Sequence, residues 1–209
     1  MKALVISDIH GKDISEWLNQ LIKEQEAELL IIAGDITQFG PTKWATEFIN
    51  KIAIQTIAMP GNCDPRSVAD ELSKTKAIPL HNKKVKFKDL TFVGFGGSNI
   101  TPFNTVLEFS ESYIYEALAK IMERECILVT HCPAKGILDY MTGKGNLGSE
   151  AIAKIVKEYE PKLHISGHIH EARGIERKGN TLHLNPGQAS KGYAALATVD
   201  NENVRAELI

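Results

Sequence analysis

Residues 2–7, KALVIS, decide the fold, because the same pattern returns at residues 27–34, AELLIIAG, and at residues 54–60, IQTIAMP. Each is a short, apolar, β-rich run that ends in turn residues and leads into a polar-apolar stretch of helical period. That grammar predicts repeated βαβ units around a parallel sheet. Between the runs, Trp17, Leu18, Leu21 and Ile22 fall on one helical stripe of residues 15–23. Pro41 suits the first turn of a second helix carrying Trp44, Ala45 and Phe48. Both helices are expected to face the core.

The second half begins differently. Residues 77–98, AIPLHNKKVKFKDLTFVGFGGS, alternate apolar with polar, carry turn residues on either side of KVKF and leave no room for a helix, so they predict antiparallel strands. A helix over about residues 111–124 then leads into the buried-strand pattern CILVTH at 126–131, a glycine-rich loop and a helix over about 149–158. The strand KLHISG at 162–167 follows, then a hairpin turning at Lys178-Gly179-Asn180 and a last hairpin turning at Asp200 to Asn203. The 209 residues contain no internal repeat, low-complexity tract or linker, so residues 1–209 are expected to form one domain.

With 24 basic and 26 acidic side chains, net charge −2, nothing in the overall balance steers the chain toward nucleic acid or anionic lipid. No nucleic-acid or membrane partner is expected. The start, MKALVISDIHGKD, has too short an apolar run for a signal peptide, and no later segment approaches the roughly 18 apolar residues of a membrane helix. Cys63, Cys126 and Cys132 include no C-x-x-C pair and make no disulfide framework, which fits a reducing, cytoplasmic compartment.

Side chains able to bind metal recur just past the strand runs: Asp8 and His10, Asp35, Asn62, His131, and His168 with His170. In an α/β fold ligands bind beyond the carboxyl ends of the strands, which would gather these segments at one mouth. The alternation of G-H-x-H along an extended segment would point His168 and His170 to the same side. Four imidazoles, two carboxylates and an amide are mixed N/O donors suited to Mn, Fe, Zn, Co or Ni rather than to an all-oxygen magnesium cage. Seven candidate ligands exceed the roughly three or four that one catalytic zinc takes from protein, so two metals sharing a bridging carboxylate is the economical arrangement. Taken singly, each residue also has an ordinary reading as a turn, cap or hydrogen-bonded core group; only the set argues for metal.

The motifs D-x-H (Asp8, His10), G-D (Gly34, Asp35), G-N (Gly61, Asn62), a lone His after a strand (His131) and G-H-x-H (Gly167, His168, His170) resemble those of the calcineurin-like metallophosphoesterases in order and spacing. The resemblance spans residues 3 to about 188, and GFGGSNITPFN at 94–104 is similar to a small Icc-related branch of that superfamily. It implies a four-layer α/β/β/α metallophosphoesterase sandwich with two mixed sheets. Asp8, His10 and His170 would be first-metal ligands, Asp35 the bridge, and Asn62, His131 and His168 second-metal ligands. The implied function is a dinuclear metal-dependent phosphodiesterase acting on a small nucleotide-like or activated phosphate ester through a metal-bridging hydroxide. Manganese is the first choice, with Fe, Ni, Zn, Co or Mg as alternatives. A metal-binding scaffold of the same fold is the opposing reading, and a homo-oligomer is compatible with either.

The departure from the family pattern is Cys63, in MPGNCDP at residues 59–65, where many members carry a histidine near the leaving-group oxygen. A thiol donates weakly and carries no positive charge, so good leaving groups, as in activated diesters, are favoured. Cys63 and Asp64 are the catalytic candidates, with Asp64 expected to hold a neighbouring His or Asn ligand by a hydrogen bond. A phosphatase-type nucleophilic cysteine would need an arginine six residues on, where Ala69 and Leu138 follow Cys63 and Cys132 instead. Arg66, Arg173 and the Gly96–Asn99 loop are candidate phosphate contacts, each with a structural rival reading. His81, His164 and His183 are expected to be structural.

Overall fold

The computed structural model describes residues 1–200 and 203–209. The first half runs β1 (Lys2–Ile6), α1 (Ser15–Glu24), β2 (Leu29–Ala33), α2 (Thr42–Asn50), β3 (Thr56–Met59), α3 (Ser67–Leu72) and β4 (Ile78–Pro79). There follow β5 (Lys83–Phe87), β6 (Leu90–Phe95), the short pair β7 (Ser98–Asn99) and β8 (Glu108–Phe109), α4 (Glu111–Ala119), β9 (Ile127–Thr130) and the small hairpin β10 (Tyr140–Met141) and β11 (Gly145–Asn146). The chain closes with α5 (Glu150–Tyr159), β12 (Leu163–Ile165), β13 (Gly174–Lys178), β14 (Thr181–Asn185), β15 (Ala195–Val199) and β16 (Val204–Leu208).

Two six-stranded mixed sheets result, ordered β16-β15-β1-β2-β3-β4 and β13-β14-β12-β9-β6-β5. β1, β2 and β3 are mutually parallel, as are β6, β9, β12 and β14. Why four layers form is visible in the central strands, which are apolar on both faces. Alternate residues Leu4, Ile6, Leu30 and Ile32 pack outward on Leu18, Ile22, Phe48 and Val68 of α1, α2 and α3. Their neighbours Val5, Leu29, Ile31 and Met59 turn inward and meet Phe92, Ile127, Leu163 and Leu184 of the second sheet. Val93 and Leu128 face outward again under Ile114, Leu118, Ile152 and Ile155 of α4 and α5. Each such side chain removed from water contributes roughly 1.5–3 kcal/mol, which makes strands buried on both faces the main support of the architecture. The expected α/β/β/α sandwich is therefore the observed fold.

Local differences have local causes. Ile78–Pro79 leaves the antiparallel unit to run parallel to β3, because the Leu80 N–H donates to Ala58 O and Leu80 is buried. α4 stops at Ala119 rather than near residue 124: the N–H groups of Ile121 and Met122 both donate to Leu118 O, and Glu125 at φ 58° redirects the chain into β9. β15 and β16 form the expected antiparallel pair, but the centre of its turn, residues 201 and 202, lies outside the described residues. Among the described residues no helix is long and apolar enough to cross a membrane.

Candidate metal centre

All five ligand-bearing loops leave the C-terminal ends of parallel strands: β1, β2 and β3 of one sheet and β9 and β12 of the other. The first two loops are laced together, with the N–H groups of Ile9 and His10 donating to Asp35 O and that of Asp8 to Gly34 O. Asp8, His10, Asp35 and His168 all adopt positive φ, a conformation that costs non-glycine residues about 1–3 kcal/mol and gathers at functional sites. The glycines of two motifs are there for space. A Cβ on Gly34 would meet the His131 ring at 2.5 Å, and one on Gly61 would meet Asp35 Oδ1 at 2.1 Å.

The candidate ligand atoms converge in overlapping groups. His170 Nε2 lies 3.1 Å from Asp8 Oδ1 and 3.2 Å from His10 Nε2. His10 Nε2 is in turn 3.8 Å from Asp8 Oδ1 and from Asp35 Oδ2. On the other side, Asp35 Oδ1 is 3.5 Å from His131 Nε2, which is 2.8 Å from Asn62 Oδ1, and the His168 ring lies 5.2 Å from that of His131. Asp35 is thus common to both halves. Three sets of ligand atoms, on Asp8, His10 and His170, on Asp8, Asp35 and His131, and on His10, Asp35 and Cys63, each fit within 4.8 Å and could hold an ion.

Hydrogen-bond accounting shows that these donors suit a cation. His131 Nδ1 faces the Ala33 carbonyl at 2.7 Å; a carbonyl only accepts, so Nδ1 carries the proton. Its Nε2 then points a lone pair at two acceptors, Asn62 Oδ1 and Asp35 Oδ1, an arrangement that requires either a second proton or a metal ion between them. His168 Nε2 is buried with no hydrogen-bond partner among the described residues. Burial, and then the nearby His131, push the His168 ring down to about 4, so its lone pair is free at neutral pH.

Burial opposes a charge on His131, yet Asp35 and Asp8 lift it to about 9 in the metal-free protein. Burial likewise opposes the Asp35 carboxylate, but His131 and His10 hold it below the ordinary range. Since Nδ1 stays on Ala33, a metal can take Nε2 only by displacing its proton. Apparent metal affinity is therefore expected to strengthen by about tenfold per pH unit as pH rises toward 9, the limit of one proton released per ion. Metal titrations between pH 6 and 8 check this, and an affinity independent of pH would contradict it.

Sequence reasoning missed Thr105 and Glu108. The Glu108 carboxylate accepts from the hydroxyls of Thr101 and Thr105, each at 2.6 Å, and from both their backbone N–H groups. With its proton committed to Glu108, Thr105 Oγ1 accepts from Asn62 Nδ2 at 2.9 Å. This fixes which end of the Asn62 amide faces the site. The Leu107 N–H also donates to Asn62 O, so the whole 99–107 loop is tied to the candidate ligand. No local pattern carries that signal, since Thr105 and Asn62 are 43 positions apart. Thr105→Val, which keeps shape and removes the acceptor, is expected to weaken the Asn62 half of the centre by about tenfold with the fold intact. Metal stoichiometry by elemental analysis checks it; unchanged occupancy at limiting metal would count against the role.

Other expectations need correction. Asp64 holds no ligand side chain: its fully buried carboxylate accepts from the backbone N–H groups of Ile36, Thr37 and Gly61 and from the Thr37 hydroxyl. It ties the Asp35 loop to the Asn62 loop and cannot touch substrate, so it is a structural tether rather than a catalytic group. G-H-x-H is not extended: β12 ends at Ile165, His168 has φ 66° with its N–H on Asp8 Oδ2, and His170 begins a 3-10 turn. The two imidazoles consequently go to different neighbours, His168 to His131 and His170 to His10 and Asp8. In the Gly96–Asn99 loop the N–H groups of Gly96, Gly97 and Ser98 are consumed by His81 Nδ1, Pro60 O and Leu107 O, leaving the substrate-shaping reading. Arg173 donates to Pro186 O and Ile209 O and lies over Tyr193, so it anchors the C-terminus. Arg66 is exposed.

Cys63 lies within the site. Its N–H donates to Asp35 Oδ1 at 2.8 Å, and its thiol is 3.7 Å from Asn62 Nδ2. Burial, reinforced by Asp35, drives the thiol well above its ordinary value, so it keeps its proton and is no nucleophile.

Comparison with known proteins agrees with this geometry. The pattern of the calcineurin-like phosphoesterases matches residues 1–172. An uncharacterised protein of Methanocaldococcus jannaschii is 35% identical over 215 aligned residues, which cover 96% of this chain and 94% of that protein. The phosphodiesterase YfcE of Escherichia coli K12 is 34% identical over 74 residues, 31% of this chain and 40% of its own. Among solved structures, one titled as a novel archaeal phosphodiesterase superposes with a TM-score of 0.60 at 16% identity, covering 100% of both chains, a likeness of fold.

Proposed function

The chain belongs to the calcineurin-like phosphoesterase family, and from that premise we propose that it is a dinuclear, metal-dependent phosphodiesterase acting on a small phosphate ester with a good leaving group. The observation that carries the reading is the convergence of seven ligand-type side chains from five strand-end loops into two groups that share Asp35. Asp8, His10 and His170 would hold one ion and Asn62, His131 and His168 the other. When bound, two divalent cations lower the pKa of a water and offset charge on the phosphate oxygens.

The chain's own residues supply the rest. The Ala33 carbonyl aims His131 Nε2 into the site, and Thr105 aims Asn62 Oδ1. The Cys63 thiol stays neutral beside Asp35, and at the place where the family resemblance implies a proton donor near the leaving group it would assist poorly, so leaving groups that need no protonation would be served best. Phe39, whose N–H donates to Cys63 O, and Ile100, Phe103 and Val106 on the loop tied to Asn62 are exposed, and these two segments would offer apolar surface to an organic or nucleotide-like substituent.

The test is a matched assay of the manganese-loaded protein on an activated phosphodiester and the corresponding monoester, with a chelator control, for wild type and Cys63→His. Chelator-sensitive cleavage of the diester is expected, and Cys63→His should raise monoester turnover by about tenfold, a fraction of what general acids contribute. No hydrolysis by either variant despite bound metal would sink the enzyme reading in favour of a metal-binding scaffold.

A further inference from the structure

A cavity of about 360 Å³ lies between α5, the segment that follows β9 and the β13–β14 turn. Small-molecule pockets run from roughly 300 to 1,000 Å³. Its wall sets Lys157, Lys178 and Asn180 beside an apolar strip that includes Ile137 and Val156. Lys157 and Lys178 have no acidic partner among the described residues. The remaining charged groups of the wall are engaged: Lys135 with Glu150 at 2.5 Å, and Glu160 as acceptor from Arg124 at 3.0 Å and Asn180 Nδ2 at 3.3 Å. Among the described residues the cavity is therefore left with two free cations.

His183 completes the wall, and its tautomer follows from a chain of hydrogen bonds. The Thr130 hydroxyl donates to Cys132 O at 2.6 Å, so its oxygen accepts the Nε2 proton of His164 at 2.8 Å. His164 Nδ1 then holds a lone pair, which the Nδ1 proton of His183 meets at 3.0 Å. Burial, and after it Lys178, push His183 down to about 4, so the ring is neutral. The chain ends at His183 Nε2, an acceptor on the ring edge turned away from His164. This nitrogen is buried and without a partner among the described residues. Interiors rarely leave such a group unmet without a functional reason.

We propose that this cavity is a binding site for a small phosphomonoester: Lys157 and Lys178 take the phosphate charge, His183 Nε2 accepts from a hydroxyl of the ligand, and the carbon skeleton lies on Ile137 and Val156. A bare divalent cation does not fit, because the two lysines repel it. Phosphomonoesters are the product class of diester hydrolysis, but the site stands or falls independently of the catalytic reading.

The experiment is calorimetric titration of the full chain, held metal-free with a chelator, using ribose 5-phosphate, inorganic phosphate and sulfate near pH 7. Sulfate matches phosphate in shape and charge but carries no proton to donate. Ribose 5-phosphate is expected to bind tightest, and phosphate about tenfold more tightly than sulfate, the worth of one hydrogen bond. The double variant Lys157→Ala, Lys178→Ala, which alters only exposed side chains, should weaken all three by tenfold or more. His183→Phe should erase the preference over sulfate. Equal binding of phosphate and sulfate, or affinity that survives loss of both lysines, overturns the proposal; a site that prefers phosphate to its ribose ester overturns the monoester assignment. Because metal is absent throughout, neither result depends on whether the metal-loaded protein hydrolyses diesters.

Discussion

Asp35→Asn is expected to lower kcat/KM by about 1,000-fold or more and to reduce bound metal from about two equivalents to below one. The geometry explains why one atom-for-atom change should act so broadly. Asp35 Oδ2 faces His10 at 3.8 Å and Oδ1 faces His131 at 3.5 Å, so a single carboxylate serves both halves of the centre. Without it the half formed by Asn62, His131 and His168 has only neutral donors, and the other keeps one carboxylate, Asp8. The amide can still accept the Cys63 N–H that Oδ1 now receives, which should keep the loops in place. Elemental analysis alongside circular dichroism separates lost metal from lost fold. An active, metal-replete Asp35→Asn protein would rule out the proposed bridging role of Asp35.

Asp64→Ala should act on stability, lowering it by about 3–5 kcal/mol, because four donors from two loops would be left around an apolar methyl group in a fully buried position. Burial and the neighbouring Asp35 push Asp64 up to about 6, while the Gly61 and Thr37 N–H groups pull against that rise. Asp64→Asn should lie between wild type and Ala, since its carbonyl still accepts from Thr37 while its NH2 opposes the N–H groups of Ile36 and Gly61. Denaturant unfolding of the metal-free proteins measures the series. A loss below about 1 kcal/mol for Ala would mean that water replaces the carboxylate and that the tether is dispensable.

Much of the molecule was legible in one dimension. Apolar runs such as KALVIS and AELLIIAG announce strands buried on both faces, because a strand's side chains alternate and only a sheet covered twice can be apolar at every position. Asp8, His10, Asp35, Asn62, His131, His168 and His170 announce themselves by donor type and by their place after those strands, since the C-terminal ends of parallel strands share one edge. What the linear order could not contain is how each side chain is aimed. G-H-x-H read as a strand would send both imidazoles the same way, yet a positive φ at His168 and a 3-10 turn at His170 send them to different partners. Asp64 looked like a neighbour of the chemistry and proved to be an acceptor for backbone N–H groups of the adjoining loops. Thr105 and Glu108, silent in the sequence, orient Asn62 from 43 and 46 positions away. The physical reason is the same in each case: residue type and hydrophobic period are local properties, whereas a hydrogen bond's direction depends on which distant backbone and side-chain groups the two sheets bring alongside it.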